Sequence, residues 1–187
     1  MSKFCTILAF LILLAACRKE ETLPPLSDAE SAEVQARAYS FKVYPASRFL
    51  QPQTELFRKA HFVLHPDALQ APPTAAYESD ASVADVARFY AEDSGFGKVA
   101  ESEANGFSSV KPAAYMTKGE LAADLPSIKP ILEKLGMQVD DSKAVGSYVG
   151  AHVNGTHTRP RITIQRPYFD VATSSVVDKT LIIMVRE

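Results

Sequence analysis

The stretch Tyr148-Val-Gly-Ala-His-Val-Asn-Gly-Thr-His-Thr-Arg-Pro-Arg-Ile-Thr-Ile-Gln165 decides the fold. Apolar and polar residues alternate on both sides of Asn154-Gly155. Asn-Gly between alternating runs is a strong hairpin signal, because both residues tolerate the positive φ that a two-residue turn demands. Such a turn predicts that Val153 faces Thr156, His152 faces His157, Gly150 faces Arg159 and Tyr148 faces Arg161. One face of the ribbon then carries Val149, Ala151, Val153, Ile162 and Ile164. The other carries Tyr148, His152, His157, Arg159 and Arg161. A core face and a solvated face are thereby separated, and a slip of one residue would exchange them. Farther on, Thr180-Leu-Ile-Ile-Met-Val185 is apolar on both faces and is expected as a central, covered strand.

Upstream of the ribbon the periods change. Ser82, with Asp85 three residues on, makes a start like a capping box. Val83, Val86, Ala87 and Tyr90 then follow helical spacing, with Phe89 widening the stripe, until Gly95 and Gly97 end it. Pro126 to Leu135 predicts a second helix, with proline in its first turn, Ile128, Ile131, Leu132 and Leu135 on one face, and Gly136 beyond its end. Thr74–Glu78 is a short strand candidate. Ala60-His-Phe-Val-Leu-His65, closed by Pro66-Asp67, is expected as another. Lys98–Glu103 is a further one, followed by an Asn105-Gly106 turn. These elements predict an α+β domain over residues 41–187: an antiparallel sheet of about four to six strands with two helices packed on one face.

The chain has 187 residues, 47% hydrophobic and 22% charged, enough for one apolar core. The formal charge is −2 and no stretch is densely basic. Nucleic-acid binding requires such a patch to neutralise phosphates, so it is excluded as an expectation.

The N-terminus is built differently. Lys3 precedes an uncharged run, Phe4–Leu14, that ends at Arg18-Lys-Glu-Glu21. About 20 apolar residues are needed to cross a bilayer as a helix, so this run is expected to be a secretion signal. Leu14-Ala15-Ala16-Cys17 resembles the lipobox of bacterial lipoproteins: leucine three residues before cysteine, then two small residues. The resemblance implies that the Cys17 thiol receives diacylglycerol, that residues 1–16 are removed, and that the new amino terminus is acylated. Two or more chains anchor stably where one does not. The alternative is an ordinary signal cut after Ala16, leaving Cys17 as a free thiol. Cys5 lies in the signal, so Cys17 is the one cysteine kept, and acylation removes the hazard of a lone thiol in an oxidising compartment. Arg18 stands where aspartate commonly retains lipoproteins in the inner membrane, so in a Gram-negative cell the resemblance favours the outer membrane, facing the periplasm. Residues 17–40, polar and with Pro24-Pro25 near their start, are expected to tether the domain, with a docked N-terminal helix as the alternative.

The order Tyr44-Pro45, Tyr77-Glu-Ser-Asp80, then a helix ending Val86-Ala-Arg-Phe-Tyr90 also resembles a recurrent type of small bacterial envelope protein. That likeness implies a fold and no activity.

Candidate chemistry is sparse. In the two-residue register, His152 and His157 have Cβ atoms about 4.5–5.5 Å apart, within reach of one ion. A metal site needs a further ligand, and Arg159 and Arg161 beside them repel a cation. The same arginines suit a phosphate or carboxylate. Three readings of this face therefore stand: a solvated surface, an anion or partner patch, and a metal site. On a strand, His61 and His65 lie about 13 Å apart and cannot chelate together. Gly95-Phe-Gly-Lys-Val-Ala100 imitates a dinucleotide fingerprint but follows a helix instead of opening one. No catalytic motif is present, and no cofactor is expected beyond the lipid on Cys17. The expectation is a membrane-anchored, non-enzymatic domain that binds an envelope protein or a small ligand. The alternatives are an envelope enzyme with residues scattered along the chain, and a structural subunit of an envelope assembly.

Overall fold

The computed structural model describes residues 40–101 and 112–186. The signal segment, Cys17, nearly all of the tether and the Asn105-Gly106 turn lie outside the described residues.

Among the described residues, eight strands and three α-helices follow one another: β1 (Arg48–Phe49), α1 (Gln51–Leu64), β2 (Thr74–Ser79), α2 (Val83–Asp93), β3 (Ala114–Glu120), α3 (Leu121–Lys134), β4 (Ser147–Val153), β5 (Arg161–Arg166), β6 (Tyr168–Asp170), β7 (Ser175–Val177) and β8 (Thr180–Val185). A short 3₁₀ turn, Asp141–Lys143, precedes β4. Six strands form one antiparallel sheet in the order β1-β2-β8-β5-β4-β3, and β6 and β7 form a separate two-stranded ribbon. The α+β expectation therefore holds, and the apolar run Thr180–Val185 is a central strand.

Two helices do share one face of the sheet, but they are α1 and α3. The helix that opens at Ser82 covers the opposite face. There, Val83, Val86, Ala87, Tyr90 and Ala91 pack on Ala75, Tyr77, Ala151, Val153, Ile162, Ile164, Ile182 and Met184. Its start is capped as its sequence suggests: Ser82 Oγ accepts from the Asp85 N–H at 3.1 Å and donates to the Asp85 carboxylate at 2.7 Å.

The segment His61–His65 is not a strand. It is the end of α1, which begins nine residues before Ala60 with Pro52 in its first turn. The deciding contacts are tertiary. Leu50 and Phe57 pack with Ala76, Tyr168 and Leu181, while Leu56 packs with the α3 cluster. Thr54, 0% exposed, donates its hydroxyl to Leu50 O at 2.8 Å and accepts the Ala76 N–H of β2 at 2.9 Å. Read alone, a six-residue run with Phe62, Val63 and Leu64 at its centre resembles a strand; its helical period emerges only with the preceding turns.

The Asn154-Gly155 hairpin has a longer loop than expected. Val153 faces Ile162, His152 faces Thr163 and Gly150 faces Gln165, so residues 154–160 are all loop. In the two-residue register Pro160 would sit inside the ladder, where it has no N–H to donate. The offset between the two registers is even, so Ala151, Val153, Ile162 and Ile164 keep their common face and are buried. Val149 shares that face by alternation but is 38% exposed.

The face expected to be solvated is covered near Tyr148, which is 7% exposed and packs with Leu121, Leu125, Leu132 and Ala144. The cover is α3, which starts five residues before Pro126, directly after β3, because Leu121 and Leu125 extend the apolar stripe of Ile128 and Leu132 toward the N-terminus. Pro126 and Pro130 are consequently interior to the helix. Of the expected strand Lys98–Glu103, the described part contributes one bridge, Ala100 beside Tyr115 in parallel.

Candidate functional site

Four parts of the chain meet at one corner of the sheet, on the α2 face. The stripe of α2 runs Val86, Tyr90 and then Asp93, so the helix delivers a carboxylate to the edge of the core. On β8, Ile182 and Met184 point into the core, and alternation carries Arg186 to the same side. The incoming segment brings Phe41, buried in the core, and Lys42 beside it. The β4–β5 loop brings Thr158, Arg159 and Pro160. Together with Ser40, Ser94 and Tyr90 they line a shallow, open cleft of about 30 Å³.

Charge is unevenly distributed in this cleft. Asp93 has a side chain only 8% exposed and is held from two sides: Lys42 Nζ reaches one carboxylate oxygen at 2.6 Å and Arg159 Nε the other at 3.0 Å. Lys42 also lies over the Phe89 ring at 4.8 Å, and the Arg186 guanidinium over the Phe41 ring at 5.4 Å. Arg186 Nε is buried and has no hydrogen-bond partner among the described residues. Two cations thus hold the carboxylate, a third lines the same cleft, and one of its buried donors has no partner among the described residues. A buried donor without a partner costs about 1–3 kcal/mol, and an oxyanion is the natural acceptor for a guanidinium.

The residues expected to act together on the ribbon are separated. His152 is half-buried on the α1/α3 side of the sheet, against the Tyr115 ring at 5.3 Å, with Nδ1 3.4 Å from Thr163 Oγ. His157 is exposed in the loop, Arg161 opens β5, and Arg159 alone joins the cleft. The His152–His157 pair is therefore not formed, for the register reason given above. Lys42, Asp93 and Arg186 were not expected. Two of them carried a signal: a carboxylate on a buried helical stripe and an arginine continuing a buried strand face both require polar partners.

A second polar cluster lies at the end of β2, next to β1. Glu78 accepts from Arg48 at 2.9 Å and from the Tyr168 hydroxyl at 2.8 Å. Nearby, Lys179 contacts Asp80, and Arg166 bonds Asp178 at 2.9 Å and Asp80 O at 2.7 Å. Burial alone would raise the Glu78 carboxyl, but hydrogen bonds from Arg48 and Tyr168, with the Arg48 and Lys179 charges, carry it below its ordinary value. Burial and the Glu78 carboxylate in turn hold Tyr168 protonated far above the usual tyrosine range. A lowered carboxyl value means stability that is present above the unfolded value, about 4.3, and is lost as pH falls through the folded value. Glu78→Gln is therefore expected to cost about 1–2 kcal/mol at neutral pH and to flatten the loss of stability below pH of about 4. Urea unfolding of both proteins between neutral pH and the acid limit checks this. Parallel acid limbs would remove Glu78 from the account.

Against known proteins, no family model, curated protein sequence or solved structure matches this chain.

Proposed function

We propose that this protein is an exported lipoprotein, anchored through lipid on Cys17, whose domain binds a small oxyanion in the Lys42–Arg159–Arg186 cleft without transforming it. The observation that carries the binding reading is Arg186: it lines the cleft beside Lys42 and Arg159, and its Nε is buried without an acceptor among the described residues. Asp93 occupies one side of Lys42 and Arg159, so the cleft accepts a small anion such as phosphate or a carboxylate terminus. Both Asp93 carboxylate oxygens are taken by cations, which favours binding over catalysis. The anchor reading is supported by Leu14-Ala-Ala-Cys17 and by the short apolar run before it. Arg18 after the cysteine favours the outer membrane in a Gram-negative cell, with the domain in the periplasm.

Two measurements test the two halves. Protein extracted from membranes should be heavier than residues 17–187 by two or three acyl chains and glycerol, and Cys17→Ala should abolish both the mass increment and membrane retention. An unmodified mature mass would end the anchor reading. For the cleft, titration with inorganic phosphate and with succinate, followed by calorimetry and side-chain NMR of Lys42, Arg159 and Arg186, should show saturable binding. Arg186→Gln should weaken that binding about tenfold, roughly 1.4 kcal/mol. Absence of any response at tens of millimolar ligand, or equal affinity in Arg186→Gln, would dispose of the site.

A further inference from the structure

We propose that His61, in the last turn of α1, and His65, the residue that caps its end, form a site for a divalent transition metal that prefers imidazole, copper(II) above nickel(II) and zinc(II). The site is separate from the cleft and does not rest on it.

The helix carries the argument. At four residues' separation on an α-helix, two side chains stand one above the other on the same face. The His61 and His65 rings are 4.6 Å apart, centroid to centroid, tilted by 38°. That spacing lets one ring nitrogen from each reach a common ion, as in helical metal motifs of this period. His65 is exposed and closes the helix, with its N–H on His61 O at 2.8 Å, while His61 is half-buried. The ion would therefore be reached from solvent. The site also lies at the C-terminal end of a 14-residue helix, where the backbone dipole favours positive charge. Arg58, one turn back, leans over the Phe62 ring at 5.8 Å.

The donor set fixes the class of metal. Among the described residues no group of three or more His, Cys, Asp or Glu side chains is placed to hold an ion. Two imidazoles in adjacent positions, completed by water, suit the tetragonal geometry of copper(II) or nickel(II) better than a closed four-ligand zinc site. Phe62 occupies the position where a helical zinc protease carries its glutamate base, so the site binds and does not hydrolyse.

The test titrates the full chain in detergent micelles with copper(II) chloride, read by electron paramagnetic resonance and calorimetry. One equivalent should bind with a nitrogen-coordinated axial signal, undisturbed by excess calcium or magnesium. His61→Ala and His65→Ala should each weaken binding at least tenfold, and His157→Ala, in the exposed β4–β5 loop, should leave it unchanged. His65→Gln, at the exposed end of the helix, keeps the test decisive if His61→Ala disturbs folding, which circular dichroism reports. Copper affinity equal in all variants, or lost equally in His157→Ala, would overturn the site, as would the absence of saturable binding at about 1 mM metal.

Discussion

Replacing Ile182 by alanine should lower the free energy of unfolding by about 3–4 kcal/mol and the melting temperature by roughly 10–15 °C. Ile182 is 0% exposed on β8, the strand between β2 and β5, and faces the α2 side. Its neighbours Tyr77 and Ile164 are its registered partners on the two flanking strands, so the cavity would open between three strands and a helix. None of the three can collapse into it without breaking the ladder, which places the cost in the upper part of the usual range for such deletions. The adjacent Ile183 points to the other face and is half-buried, so Ile183→Ala should cost about 1–2 kcal/mol. The contrast between neighbours separates burial from strand propensity. Equal losses from both substitutions in urea or thermal unfolding would mean that the strand is not held from two unequal sides.

Tyr148→Ala should be nearly as damaging, at about 3–4 kcal/mol, while Tyr148→Phe should cost about 1–2 kcal/mol. The ring leaves β4, crosses its registered partner Gly119 on β3, and donates its hydroxyl to Asp124 in the first turn of α3 at 2.5 Å. A Cβ on Gly119 would stand 2.5 Å from the ring, so the glycine makes the space that the tyrosine fills. An aromatic ring laid over an edge glycine restores the apolar cover that the missing side chain forfeits. Gly119→Ala should therefore destabilise the native protein by about 1–3 kcal/mol and do markedly less harm in the Tyr148→Ala background. Additive losses across the four proteins would show that ring and glycine do not share one space.

That pairing also marks a limit of what could be read from residues alone. The strand Ala114–Glu120 ends in Lys-Gly-Glu, without alternation, and is a strand because Tyr148 and the β4 ladder make it one. By contrast Val83–Asp93 and Thr180–Val185 were legible, since their apolar periods and the Ser82 cap are complete within the element. Between these extremes lies the Asn154-Gly155 ribbon. The turn signal set the wrong pairing, and Pro160 is the residue that argued against it. Because the error was an even number of residues, the core face survived while the histidine pair did not. The His61–His65 segment failed differently: too short a window hid a helical period. Of the cleft, only Arg159 was legible, because its partners come from three other parts of the chain and a register cannot be extrapolated that far.

The Thr54 hydroxyl, described as a link between α1 and β2, also closes a rim of the sheet. Where β1 stops after two residues, the β2 backbone would offer Ala76 to any extended peptide. Leu50 N–H takes its carbonyl at 2.9 Å, and Thr54 takes its N–H. At the opposite rim the Ala114 carbonyl and the Met116 N–H are taken by Ala100 at 2.9 and 2.8 Å, and Lys118 is the next residue in the outward alternation. A sheet blunted at both rims resists edge-to-edge addition. Where many copies of such a domain are crowded together, that protection keeps crowding from becoming fibre growth.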